Sequence, residues 1–278
     1  MEIGDYRLEV VRDTEFWLDG GAMFGIVPRA LWEHVAPPDE KNRIRLTTNC
    51  VFIDTGREKI LIDTGIGEKW NAKEIEIYGI NRKRPFAESL ESITGSTPDD
   101  ISIVINTHLH FDHAGGNTWR DPAGAVGLTF PRARYVVQAR ELEFARHTNE
   151  RTAASYLASN FEGVPFTLVH GQAEPLPGIR CLPTPGHVPY HQSILLESKG
   201  ERACFVADLV PTTAHLPLPW IMGYDLEPLV TLESKRRLYE QAEAEEWLLC
   251  FEHDPDMVAG RLAREGKTFG LVEPLRRG

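Results

Sequence analysis

The chain of 278 residues carries 30 basic and 41 acidic side chains, a net charge of −11, with 42% hydrophobic and 26% charged residues. That composition belongs to a soluble globular protein with length for one large or two small domains; it excludes disorder, collagen and a disulfide-built miniature. The acidic balance repels phosphate backbones and anionic membrane surfaces, so neither nucleic acid nor a membrane is expected as a partner, and the one dense basic run, 81–84, reads as a solvated loop.

Apolar runs bounded by turn residues predict strands over 6–11, 46–54 and 59–63. Between the first two, 16–42 is rich in Gly, Pro and aromatic residues, a stretch expected to face substrate or a dimer partner. A helix is expected over 85–93, strands over 101–106 and 134–138, helices over 139–147 and 152–161, then strands over 179–183, 193–197 and 203–207. A second long loop, 211–228, carries Trp220, Met222 and Tyr224. Leu229, Leu232, Leu238, Tyr239 and Ala242 recur near helical spacing and predict an amphipathic helix over 229–245, with Glu233, Lys235, Arg236 and Arg237 facing outward. A strand over 247–251 and a helix over 255–265 complete the chain. Strands and helices alternate in both halves with no linker and no fixed-period repeat, so a single α/β domain over 1–278 is expected, its central sheets flanked by helices. No apolar run reaches membrane length, and the first residues read as a strand rather than a signal peptide. Cys50, Cys181, Cys204 and Cys250 sit singly in apolar runs with no Cys-x-x-Cys pair, which predicts buried free thiols and a cytoplasmic location.

The segment richest in chemistry is 106–116, Asn-Thr-His-Leu-His-Phe-Asp-His-Ala-Gly-Gly, directly after the apolar run 101–105. A strand ending there ejects His108 and His110 on one side, and the following turn swings Asp112 and His113 to a second position. Imidazole and carboxylate together suit zinc, iron, manganese or cobalt, and two separated pairs suggest two divalent ions. Of the other histidines, His147 and His170 read as surface or loop residues, and His215 as a candidate substrate contact in the second long loop.

His-x-His-x-Asp-His at a strand end resembles the signature of the metallo-β-lactamase superfamily, and further motifs follow in that family's order: Thr184-Pro185-Gly186-His187, Val206-Ala207-Asp208 and Phe251-Glu252-His253. The early Asp63-Thr64-Gly65 turn matches as well. The resemblance implies an αβ/βα sandwich of two mixed β-sheets flanked by helices. It assigns His108, His110 and His187 to one metal, most simply zinc, and Asp112, His113 and His253 to the other, with Asp208 bridging. Asp63 and His191 would stand behind the ligands and orient them through hydrogen bonds.

Within the superfamily, the runs 19–28 and 184–193 look like the branch of quorum-quenching N-acyl homoserine lactonases and methyl-parathion-type hydrolases. The activity implied is opening of a lactone or related ester by a metal-bridging hydroxide, with Asp112 relaying the proton to the leaving oxygen. Met23, Phe24, Trp220, Met222 and Tyr224 are the expected pocket for an acyl or aryl group. A departure is Pro211, which stands three residues after Asp208 where lactonases of this branch carry a carbonyl-binding tyrosine; Tyr224 or Tyr190 is the expected substitute. Phosphotriester or phosphodiester hydrolysis is the alternative activity. An iron-loaded redox protein lacks its flavin domain here, and an inactive metal-binding scaffold would not need the full ligand set.

Overall fold

The structure, a computed structural model, describes residues 1–266 and 268–276. Their strands form two seven-stranded mixed sheets and a small separate hairpin. The first sheet runs Glu2–Ile3, Tyr6–Asp19, Arg43–Asp54, Lys59–Ile62, Ile103–Ile105, Arg134–Gln138 and Phe166–Val169; its early pairings are antiparallel, and the last three are parallel. The second runs Ala173–Leu176, Ile179–Pro183, Gln192–Ser198, Glu201–Phe205, Leu248–Cys250, Met257–Glu265 and Thr268–Arg276, antiparallel except for one parallel pair at its centre.

Side-chain alternation shows why these strands are apolar throughout. Val51, Ile53, Ile60, Ile62, Ile103 and Ile105 of the first sheet pack against Ile194, Leu196, Ala203, Phe205, Leu248 and Cys250 of the second. Their neighbours Cys50, Phe52, Leu61 and Val104 point the other way, into a layer with Phe86 and Leu90 of the helix Phe86–Thr94. Leu195, Cys204 and Leu249 meet Leu238, Tyr239 and Ala242 of the helix Pro228–Ala244. Strands covered on both faces need apolar residues at both parities. All four cysteines are buried and free, as their apolar settings predicted. Among the described residues no helix is long and apolar enough to cross a membrane.

Several expected elements differ. Residues 255–265 form not a helix but the strand Met257–Glu265, paired on both sides. Its Ala, Leu, Arg and Glu residues favour a helix locally; cross-strand pairing and burial of Val258, Ala259 and Leu262 override that preference. Residues 152–161 hold only the 3₁₀ turn Ala158–Asn160, because their carbonyls serve the neighbouring loop: Ser155 O accepts from Phe111 N at 2.9 Å and Ser159 O from Thr118 Oγ1 at 2.6 Å. The stretch 16–42 is largely ordered, since the strand continues to Asp19 and short helices follow at Gly20–Phe24 and Arg29–Trp32. The helix Pro228–Ala244 buries Leu238, Tyr239 and Ala242 and exposes Glu233, Arg236 and Arg237 as expected, but two positions are reversed: Leu229 is 77% exposed, whereas Lys235 is fully buried.

Candidate metal centre

Every expected ligand follows a strand. His108 and His110 lie between Ile103–Ile105 and the short helix Phe111–Ala114, which itself carries Asp112 and His113; His187 lies in the turn after Ile179–Pro183; Asp208 is in the 3₁₀ turn after Glu201–Phe205; His253 follows Leu248–Cys250. The sheets are stitched together at this end. Gln192 N donates to Thr107 O at 3.1 Å, and Asn49 N to Glu252 O at 2.9 Å. Glycines let the turns approach: a Cβ on Gly67 would lie 2.2 Å from Gly115 O, and one on Gly115 would lie 2.2 Å from Ile66 O, so these backbones touch directly behind His113.

The seven side chains form two groups sharing one carboxylate. His108, His110, His187 and Asp208 make one, and Asp112, His113 and His253 the other. Asp208 Oδ2 lies 2.9 Å from His187 Nε2, 3.4 Å from His113 Nε2 and 3.7 Å from His108 Nε2, while its Oδ1 lies 3.1 Å from His253 Nε2. Asp112 stands 3.9 Å from His113 Nε2 and 3.7 Å from His253 Nε2 through its two oxygens.

Cations fit this arrangement. His187 Nε2 faces His110 Nδ1 at 3.1 Å, and His253 Nε2 faces His113 Nε2 at 3.3 Å. Two imidazole lone pairs that close repel unless a proton or a metal lies between them. His108 Nε2 and Asp208 Oδ1 are buried and make no hydrogen bond, although buried polar atoms normally do. Burial drives His108 and His110 well below the usual histidine range, and neighbouring imidazoles add to that. Burial acts the same way on His113, His187 and His253, but Glu252 and Asp208 beside the first and Asp208 beside the others outweigh it and raise all three. Burial would raise Asp208, yet His187, His113 and His253 hold it well below the carboxylate range. The carboxylates therefore demand positive charge in a dry pocket, and divalent ions supply it while leaving imidazoles neutral.

The outward ring nitrogens are held. His113 Nδ1 lies 3.0 Å from Asp63 Oδ2, which also accepts from Thr107 Oγ1 at 2.7 Å; His253 Nδ1 bonds Thr47 O at 2.7 Å. Asp63, named from the sequence as an orienting residue, thus lies against the ring of His113. His191 is buried beside His108, ring centroids 5.2 Å apart, but it bonds Thr184 Oγ1 at 2.8 Å rather than any of the seven. Its expected hydrogen bond to a ligand is absent, because the ring is turned toward the 184–193 turn.

Three supporting acids escaped the sequence reading. Asp225 Oδ1 holds His187 Nδ1 at 2.9 Å, and its Oδ2 accepts from Thr231 Oγ1 at 2.7 Å. Glu252, fully buried and raised by burial to about 8, lies 2.8 Å from His113 Nδ1. Glu141 accepts from Leu109 N at 3.0 Å and from Tyr156 OH at 2.9 Å, and the Tyr156 ring meets His110 edge-on. Only Glu252, next to a ligand in sequence, carried a local signal.

A cavity of about 420 Å³ opens onto His110, Asp112, His187, Asp208 and His253. Met23, Met222 and Tyr224 line it, joined by Tyr78, Phe111 and Arg151. Phe24 and Trp220 do not line it. Phe24 is fully buried, stacked between Trp32 at 5.2 Å and His215 at 4.6 Å, with Trp220 edge-on at 5.7 Å. His215 is likewise buried, bonded to Met23 O at 2.9 Å, so it supports the wall instead of touching substrate. Tyr190 stands under Arg140 beside Phe144, in a different hollow, which removes it as a substitute for the missing tyrosine; Pro211 spends its carbonyl on His253 N at 3.0 Å.

Comparison with known proteins agrees with this geometry. The model of the metallo-beta-lactamase superfamily matches residues 43–253. An N-acyl homoserine lactonase from a Bacillus species is 30% identical over 224 residues, 76% of this chain and 82% of that protein. A probable metal-dependent hydrolase from Staphylococcus aureus superposes with a TM-score of 0.89 at 32% identity, covering 99% of this chain and 100% of its own. An N-acyl homoserine lactone hydrolase, solved with N-hexanoyl-L-homoserine bound at its catalytic metal centre, superposes at 0.69 with 26% identity over 92% of this chain and 95% of its own. The chain belongs to the metallo-beta-lactamase superfamily and is a hydrolase of that fold.

Proposed function

We propose that the protein opens the ring of a lactone of the N-acyl homoserine type, using two divalent ions. The observation carrying this reading is a single cavity lined both by the carboxylate and imidazole cluster and by the apolar side chains of Leu18, Met23, Phe111, Met222 and Leu226. A polar ring fits the cluster and an acyl chain fits the apolar wall. The similarity to lactonases over most of the chain supports the same substrate class.

His108, His110 and His187 would hold one ion, Asp112, His113 and His253 the other, with Asp208 between them. Bound there, the ions supply Lewis acidity and a nucleophile available at neutral pH. Asp112, buried and lining the cavity, would take a proton and return it to the leaving alkoxide. Tyr224 fills the carbonyl-binding role that Pro211 cannot. Burial raises its phenol to about 12, so the hydroxyl stays protonated and can donate to a substrate oxygen.

The test is hydrolysis of N-hexanoyl homoserine lactone beside paraoxon by metal-loaded protein, before and after chelation. Chelator-sensitive lactone turnover well above triester turnover is expected. Dominant triester turnover would move the substrate class to organophosphates, with the metal assignment intact.

A further inference from the structure

The cavity lining carries polar groups besides the cluster. Three segments meet there, contributing Ala22 and Met23, then Arg151, Thr152 and Ser155, then Met222 to Tyr224. Gly223 joins all three: its N–H donates to Ala22 O at 2.8 Å, and its carbonyl accepts from Arg151 Nη2 at 3.0 Å. Arg151 is the only arginine or lysine among the residues lining the cavity, and among the described residues no Asp or Glu forms an ion pair with it. The lining carboxylates, Asp112 and Asp208, belong to the metal cluster. A guanidinium offers five N–H donors in a planar fork, and the Gly223 carbonyl takes only part of that capacity.

The geometry points to Arg151 as a specificity residue that selects lactones whose acyl chain ends in a carboxylate. The ring would sit at the cluster, the chain along the apolar wall, and the terminal carboxylate on Arg151. This rests on the lactone reading above. A plain hydrocarbon tail leaves the guanidinium without an acceptor, whereas a carboxylate can meet the fork with two hydrogen bonds. Because Arg151 is exposed, the preference should be modest and weakened by salt.

The experiment compares homoserine lactones bearing succinoyl, adipoyl and suberoyl chains, each as the free acid and as its terminal methyl ester, on metal-loaded protein. At the best chain length and low salt, kcat/KM for the acid should exceed that for the ester about tenfold, carried mainly by KM. In Arg151→Met the acid-to-ester ratio should fall to about one, and Arg151→Lys should restore part of it. Wild-type protein without a preference, or equal losses for acid and ester in the variant, would reduce Arg151 to a clasp between loops and overturn the assignment. Calorimetric binding of the ring-opened acid and its methyl ester separates this from the lactone reading. Selective binding without ring opening of either substrate would overturn the lactone reading and uphold Arg151; ring opening with no selectivity in binding or rate would do the reverse.

Discussion

Asp208→Ala is expected to lower metal-dependent lactone hydrolysis by about a thousandfold or more while the circular dichroism spectrum stays native. Among the described residues, Asp208 is the one carboxylate within 4 Å of imidazoles from both groups, His187 and His108 on one side, His113 and His253 on the other. Its removal leaves five imidazoles, four of them buried, around a gap, so the bound metal per chain should fall together with the rate. Asp208→Asn keeps the shape but removes the charge and should lose most of the activity too. Wild-type rates in either variant would show that the cluster does not perform the hydrolysis.

Lys235→Met is expected to destabilise the protein by about 3 kcal/mol, measured by chemical denaturation. Lys235 Nζ donates to three backbone carbonyls, His215 at 2.6 Å, Pro217 at 3.0 Å and Trp220 at 3.1 Å, within the segment that also carries Met222 and Tyr224. The variant leaves all three without that donor. Burial lowers the amine to about 7, against Asp225 nearby, so above that pH the folded chain holds a neutral amine with two N–H donors for the three carbonyls, whereas the unfolded chain keeps its third proton up to about pH 10. This contribution raises wild-type stability as pH climbs from about 7 toward 10, and the variant lacks it. The stability gap between the two should therefore widen over that window. A gap that stays level or narrows would contradict the burial argument.

The cluster from His108 to His113 was legible in the sequence because its information is local: an apolar strand, alternating histidines, then a turn. The later ligands were legible only through the order of family motifs. Their supports were not, since Asp225 serves His187 and Glu141 serves Leu109 from distant chain positions, and only folding brings them together. Lys235 was placed outward because charge on a helix usually faces water; three carbonyls of a neighbouring loop made the interior acceptable. The strand Met257–Glu265 was misread for a related reason, as its strand character comes from the partners on either side. Loop composition placed Met23, Met222 and Tyr224 at the cavity, yet Phe24 lies one stacked layer behind it, a distinction that composition does not encode.

The central claim, that two metal ions on this cluster carry the chemistry, is tested most directly by stripping the protein with a chelator and titrating zinc back, following bound metal and ring opening of N-hexanoyl homoserine lactone together. The account predicts no turnover in the stripped protein, two ions bound per chain at saturation, and full activity only when both positions are filled. Full turnover in the stripped protein, or saturation of activity with no metal bound at these histidines, would contradict it.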